Sequence, residues 1–305
     1  MKVLDVGDTV IHLRFFPDGR RLLVGTVSQN RHVHFDVVPL SGGERVRLRL
    51  FGSDVSSWHD ANYGSPTAIH PSGEWCYVAW GGHLSSFWSE DGSGRPIPTA
   101  VRANQVVLSP DGGRLLAAQV TLGGHQQLSA LLVKPDGDSV VWEEVPSAAF
   151  RSVAGFLPDG ERFVTLDAVV HIRAFASGEG QAAGRLRLVG TYHAQVSPDG
   201  RHLGAVGYKS MYLWDTATLA KPRRISQSQS FGNFVGFAFH PDGRTLAVIH
   251  GGPTLVKLYD VETLKLTAKF NWKVGELASV AFSPDGMLGA AGSRAGRIVL
   301  WDVDP

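Results

Sequence analysis

Residues 280–303 read VAFSPDGMLGAAGSRAGRIVLWDV. An apolar run enters a Ser-Pro-Asp-Gly turn, a small-residue run follows, and a short polar stretch leads to an aromatic residue and an aspartate. Proline pre-sets φ for the second position of a type I turn. Aspartate suits the third because its side chain bonds local backbone, and glycine tolerates the conformation that comes next. Such a turn joins two antiparallel strands. It recurs along the chain as RFFPDG, AIHPSG, VLSPDG, GFLPDG, QVSPDG, AFHPDG and AFSPDG, with prolines at 17, 71, 110, 158, 198, 241 and 284. The intervals are 54, 39, 48, 40, 43 and 43 residues.

A period in the 40s built from short strands is the sequence sign of propeller blades. Two residues before the prolines stand Phe15, Ile69, Leu108, Phe156, Val196, Phe239 and Phe282; four before stand Leu13, Thr67, Val106, Ala154, Ala194, Phe237 and Val280. This spacing of two gives the first strand of each copy a repeated, mostly apolar face. Second strands follow the turns (RRLLVGTV, EWCYVAW, GRLLAAQV, ERFVTLD, RHLGAVG, RTLAVIH, MLGAAGS). Third strands end on an aromatic in six copies (HVHFD, SSFWS, VVHIRAF, MYLWD, VKLYD, IVLWD), the third copy having LSALLVK instead. Fourth strands read ERVRLRLF, RPIPTAV, DSVVWEEV, GRLRLV, KPRRIS and KLTAKFNW. The seventh copy runs out of chain, and MKVLDV at the start is one strand to spare. The expected fold is all-β: a seven-bladed β-propeller with four antiparallel strands per blade, one domain over 1–305. Residues 1–6 complete the blade formed by 276–305 and close the ring, leaving only short protected edges.

With Trp214-Asp215 and Trp301-Asp302 as literal Trp-Asp pairs, and Tyr259-Asp260 and Phe35-Asp36 as near variants, the whole chain resembles the WD-repeat β-propeller family. Well-formed repeats of that family carry Gly-His before the first strand and Asp-Gly between the second and third. These complete a hydrogen-bond tetrad through Ser or Thr and the Trp. Here Arg294-Ala295-Gly296 stands at the second place in the last copy, no copy has Gly-His at the first, and Gly82-His83 and Gly124-His125 lie between second and third strands. The tetrad is therefore not expected to be complete. The resemblance also implies a rim, here called the top, that carries the connections between blades and between second and third strands, with the Pro-Asp-Gly turns on the opposite rim.

Composition excludes some partners. Lys and Arg number 29 against 28 Asp and Glu, so bulk charge gives no reason to expect nucleic acid or an anionic membrane. No stretch is apolar for the roughly 18 residues that read as a membrane-spanning helix, and the start lacks a signal-peptide core. The expectation is a soluble, cytoplasmic protein. Cys76, the single cysteine, has no internal disulfide partner.

Catalytic patterns are missing: there is no G-x-S-x-G, no G-x-x-x-x-G-K-[ST] and no H-E-x-x-H. His32 and His34 are two apart on one strand face but have no third ligand nearby. His70 and His240 precede turn prolines and read as turn caps. His83, His125 and His250 stand beside Gly-Gly in second-to-third-strand loops, either as surface residues or as a shared ligand site. The aspartates of the turns repeat with the blades and read as architecture. Residues that break the repeat are better site candidates. The longest interval holds FGSDVSSWHDANYG (51–64), with Trp58, His59 and Tyr63 either as a binding hot spot or as a plug over a blade interface. Tyr208, Lys209, Phe231, Trp272 and Arg294 join them as top-rim candidates.

The leading expectation is a non-catalytic scaffold that docks a protein partner on its top face, alone as a monomer or recruited as a subunit of a larger assembly. No effector domain accompanies the ring, and no cofactor or metal is expected. The rival is a propeller hydrolase or lactonase at the channel mouth. That would need polar groups converging from the innermost strands, where the residues read mainly apolar or small. A weaker reading is a small-molecule or glycan sensor stacking on Trp58 and Tyr63.

Overall fold

The computed structural model describes residues 1–50, 65–97, 101–120, 126–134, 137–144, 150, 152–167, 169–185, 193–207, 209–219, 221–226, 233–250 and 255–303. Among these there is no helix, and the strands form seven four-stranded antiparallel sheets, six of them from consecutive strands. In the seventh, Lys2–Asp5 is the outermost strand beside Arg297–Asp302, with Val3 opposite Val299 and Leu4 opposite Ile298. The ring is thus closed by the N-terminal strand, as the spare MKVLDV predicts.

The turns explain why the sheets repeat. In all seven the glycine has φ between 65° (Gly19) and 77° (Gly112), the left-handed region where a Cβ is strained. Its N–H donates to the carbonyl three residues back, from Phe16 at 3.0 Å to Ser283 at 2.9 Å. Asp18 Oδ1 accepts from the N–H groups of Arg20 (2.8 Å) and Arg21 (3.2 Å), and Asp159 and Asp242 do the same in their blades. His70 and His240 do cap their turns: Nδ1 of each accepts from the N–H two residues on, at 3.2 Å.

The core is divided into seven clusters, and each lies between two blades. Leu13, Leu22 and Val24 of blade one meet Ala290, Ile298 and Leu300 of blade seven, with Val6 between them. Equivalent clusters fill the other six junctions. Each sheet is therefore buried on both faces by its neighbours, which is why second strands such as Leu246–Ile249 are apolar without alternation.

Register corrects part of the sequence reading. In four blades an aromatic faces the residue five after the turn proline: Phe87 opposite Cys76, Trp214 opposite Leu203, Tyr259 opposite Leu246 and Trp301 opposite Gly289. In blade one that place belongs to Val38, opposite Leu22, while Phe35 pairs with Gly25. Asp36 accordingly does not start a turn. It is buried within its strand and binds the Arg47 guanidinium with both oxygens, at 2.7 and 3.0 Å. In blade four the position is Arg173, opposite Phe163, and Phe175 lies beyond the strand. The fourth strand of blade four is Gly180–Arg185, starting earlier than GRLRLV. The incomplete tetrad is visible too: Nε1 of Trp214 and of Trp301 is buried with no hydrogen-bond partner among the described residues.

Candidate functional site

The first strands of six blades, with Ser65 just before that of blade two, line a central cavity of about 320 Å³. Its wall is mainly apolar or small, as expected of these strands, but it also carries a minority of polar side chains that the sequence reading did not single out. His12, Arg14, Ser65, His193, Gln195 and Ser279 all face it. Their positions follow from strand periodicity. The apolar columns lie two and four residues before each proline and pack between blades. The intervening positions, three and five before, are left for the axis. Arg14 and Gln195 occupy the first of these, and His12, His193 and Ser279 the second. A bulge in the first strand of blades one, four, six and seven, as between Val10 and His12, adds local twist near this wall.

Part of this polar column joins blade to blade. His12 Nε2 lies 2.6 Å from Thr67 Oγ1 of blade two. Gln105 Oε1 accepts from Val153 N–H of blade four at 3.0 Å, and Ser279 Oγ accepts from Leu13 N–H of blade one at 3.0 Å. Arg14 Nη2 donates to Ser65 Oγ at 3.2 Å. Among the described residues the lining contains no carboxylate. Burial pushes Arg14 down from 12.5 to about 10, so it stays charged at neutral pH. His12 is pushed down to about 3, first by burial, then by Arg14 and His193, so it is neutral there.

The top-rim candidates are placed unevenly. Trp58, His59, Tyr63, Tyr208 and Phe231 lie outside the described residues, as does His125. Lys209 is exposed just before the third strand of blade five (Ser210–Asp215). Arg294 follows the second strand of blade seven, where its Nε is 3.6 Å from Glu276 Oε1, its carbonyl accepts from Thr9 Oγ1 at 2.9 Å, and it borders the cavity. Trp272 is half-buried. Its ring lies 5.4 Å from Phe270 at an interplanar angle of 3° and 4.9 Å from Trp301, so it helps join blades six and seven.

The histidines expected near Gly-Gly separate. His250 is the last residue of a second strand, fully buried against Phe234 (ring centroids 4.7 Å apart), and burial lowers it to about 4. His83 is exposed and begins a third strand opposite Trp80. His34 is in the third strand of blade one and His32 just before it. No group of three or more His, Cys, Asp or Glu that could hold a metal occurs among the described residues. Nor is any helix among them long and apolar enough to cross a membrane.

Ring closure, turn geometry and blade register together define a seven-bladed propeller. The family model for "WD domain, G-beta repeat" matches residues 265–302, spanning the fourth strand of blade six and all three C-terminal strands of blade seven. The chain is a seven-bladed propeller whose match to the WD-repeat family rests on this segment, with no particular member singled out. Among curated proteins it is 24% identical over 191 residues to pre-mRNA-processing factor 19 homolog 2 of Arabidopsis thaliana, and 24% over 192 to pre-mRNA-processing factor 19 of Oryza sativa subsp. japonica. Each match covers 60% of this chain and 36% of the relative, so the chain spans about a third of the length of these relatives. Among solved structures, the Myceliophteria thermophila Cps50 (Swd1) β-propeller domain superposes with a TM-score of 0.75 at 15% identity over 99% of both chains. Kuenenia stuttgartiensis hydrazine synthase gives 0.75 at 16% over 100% of this chain and 97% of its own. At these identities the likeness is one of fold.

Proposed function

We propose that the protein is a non-catalytic interaction scaffold whose single propeller docks a partner protein on its top face, within a larger assembly in the cytoplasm and without nucleic acid or cofactor. The observation that carries this reading is the contrast between the rims. On the Pro-Asp-Gly rim seven turns share one backbone geometry and one hydrogen bond. Such a surface offers a partner little by which to tell one blade from another. The opposite connections differ in length and composition from blade to blade and hold the unrepeated Trp58, His59, Tyr63, Tyr208, Lys209, Phe231 and Arg294. Large aromatics beside cations concentrate directional binding energy. The WD-repeat assignment and the relatives named as pre-mRNA-processing factors support protein partners as the ligand class.

The test is affinity capture of native partners, then calorimetry with the partner obtained. Trp58→Ala and Lys209→Ala should each weaken binding, the tryptophan by at least about 1–2 kcal/mol, or ten-fold or more. Arg20→Ala and Arg201→Ala on the turn rim should matter less. Trp272→Ala needs a thermal melt beside it, because its ring is part of a blade junction. Equal losses from both rims would reject a top-face site, and losses confined to the turn-rim arginines would move it to the opposite face.

A further inference from the structure

Among the described residues, the channel contains a charge without a counter-charge. Arg14 is half-buried in the cavity wall, its one hydrogen bond is to the Ser65 hydroxyl, and no carboxylate among the described residues reaches it. Three other arginines do meet acids: Arg47 binds Asp36, Arg173 binds Glu144, and Arg114 binds Glu161 at 2.6 Å. Removing a guanidinium from bulk water without an acid costs more than one neutral hydroxyl repays. The site therefore favours an anion that water brings in.

The surrounding groups suit that role. Ser279 Oγ accepts from Leu13 N–H, which fixes the hydroxyl beside the His12–Arg14 segment and leaves its proton free to donate. His12 and Arg14 alternate on one side of their strand. When His12 Nε2 accepts the Thr67 hydroxyl proton, its Nδ1–H becomes a donor as well. Arg14 retains N–H groups beyond the one given to Ser65, in the planar fork that matches two oxygens of a carboxylate or phosphate. The roughly 320 Å³ of the cavity accommodates a small organic acid or a phosphorylated small molecule as readily as a free ion.

We propose that the central channel is a binding site for a small oxyanion of the phosphate or carboxylate class, held by Arg14 with the Ser279 hydroxyl and the His12 ring beside it. Such a ligand would bridge blades one and seven from inside the ring, independently of any partner on the rim.

The experiment is equilibrium dialysis of the full chain at pH 7.5 and constant ionic strength, with inorganic phosphate and malonate as separate titrants against a chloride background. The expected result is saturable binding of one equivalent of at least one titrant. Phosphate alone would specify the phosphate class, malonate alone the carboxylate class, and both the shared oxyanion chemistry. Arg14→Met should weaken binding ten-fold or more, while Arg201→Ala, at a side chain 81% exposed on the turn rim, should leave it unchanged. Should Arg14→Met fail to melt cooperatively, the imidazole resonances of His12 in the wild type take its place. They should shift to saturation with the titrant while those of exposed His83 stay still. No saturable binding of either anion, retention of full affinity in a folded Arg14→Met, or a motionless His12 would overturn the proposal.

Discussion

Removing residues 1–6 tests the closure of the ring at its one non-consecutive strand pairing. The segment contributes a four-residue ladder beside Arg297–Asp302, the Val6 N–H to Gly296 carbonyl bond at 2.8 Å, and two apolar side chains in the cluster between blades seven and one. Val6 is 6% exposed and Leu4 half-buried, while Val3 and Met1 face solvent. Full burial of a valine is worth about 2 kcal/mol and a half-buried leucine about 1. The ladder's hydrogen bonds, each contributing about 1 kcal/mol net, are largely offset by the backbone entropy of ordering the strand. The loss should therefore be about 3 kcal/mol, and at roughly 2 °C per kcal/mol for a chain of this size the melting temperature should fall by about 6 °C. Differential scanning calorimetry of the truncated chain measures it, with light scattering to report whether the freed edge of Arg297–Asp302 recruits other molecules. A fall of less than about 2 °C would show that Val6 and Leu4 do not hold the last junction together.

Acid should weaken the fold well above the carboxylate range. His250 has its folded pKa lowered to about 4, so the unfolded chain takes up the proton near 6.5 while the folded chain does not. That stability is fully present above pH 6.5 and is lost as pH falls toward 4, by about 3 kcal/mol from this one residue. His12, lowered to about 3, acts in the same direction. Melts at pH 7.5 and 5.0 should show the fall, and His250→Phe should flatten it. Gly289→Ala should destabilise by about 1–3 kcal/mol or more in urea unfolding, because a Cβ there would lie 2.1 Å from Trp301 Cζ2. Cys76 is fully buried with its thiol pushed up to about 12, so it should react with a disulfide reagent only after unfolding, as a trace of absorbance against denaturant would show.

The repeat was legible because its signals are local. Proline, aspartate and glycine determine one turn with no help from the rest of the chain, and the apolar columns two and four residues earlier follow from strand alternation. The third-strand aromatics are set by something less local. Their register depends on the length of the preceding hairpin, and in blade one the longer strand Val33–Pro39 puts Val38 where an aromatic stands in four other blades. A search for an aromatic followed by an acid therefore found Phe35-Asp36, three residues out of register, where Asp36 in fact answers Arg47. His250 was misplaced for a related reason: the glycines after it read as a loop, but the strand carries the ring inside first.

The channel residues were missed because they do not repeat. Across the blades, the position five before the proline is His12, Pro66, Gln105, Val153, His193, Gly236 and Ser279, a set with no common chemistry. What unites three of them is a task visible only in the closed ring: each hydrogen-bonds the first strand of the next blade, His12 to Thr67, Gln105 to Val153 N–H and Ser279 to Leu13 N–H. Polar residues at this position are therefore partly accounted for by blade joining, and polarity alone does not mark a ligand site. Arg14, two positions on, bonds Ser65, which is itself held by the Thr67 carbonyl at 2.9 Å. A serine or glutamine would make the same neutral contact without bringing a charge to the axis. The blade joints account for His12 and Ser279 of the channel, and it is the cation that remains to be explained by what the channel holds.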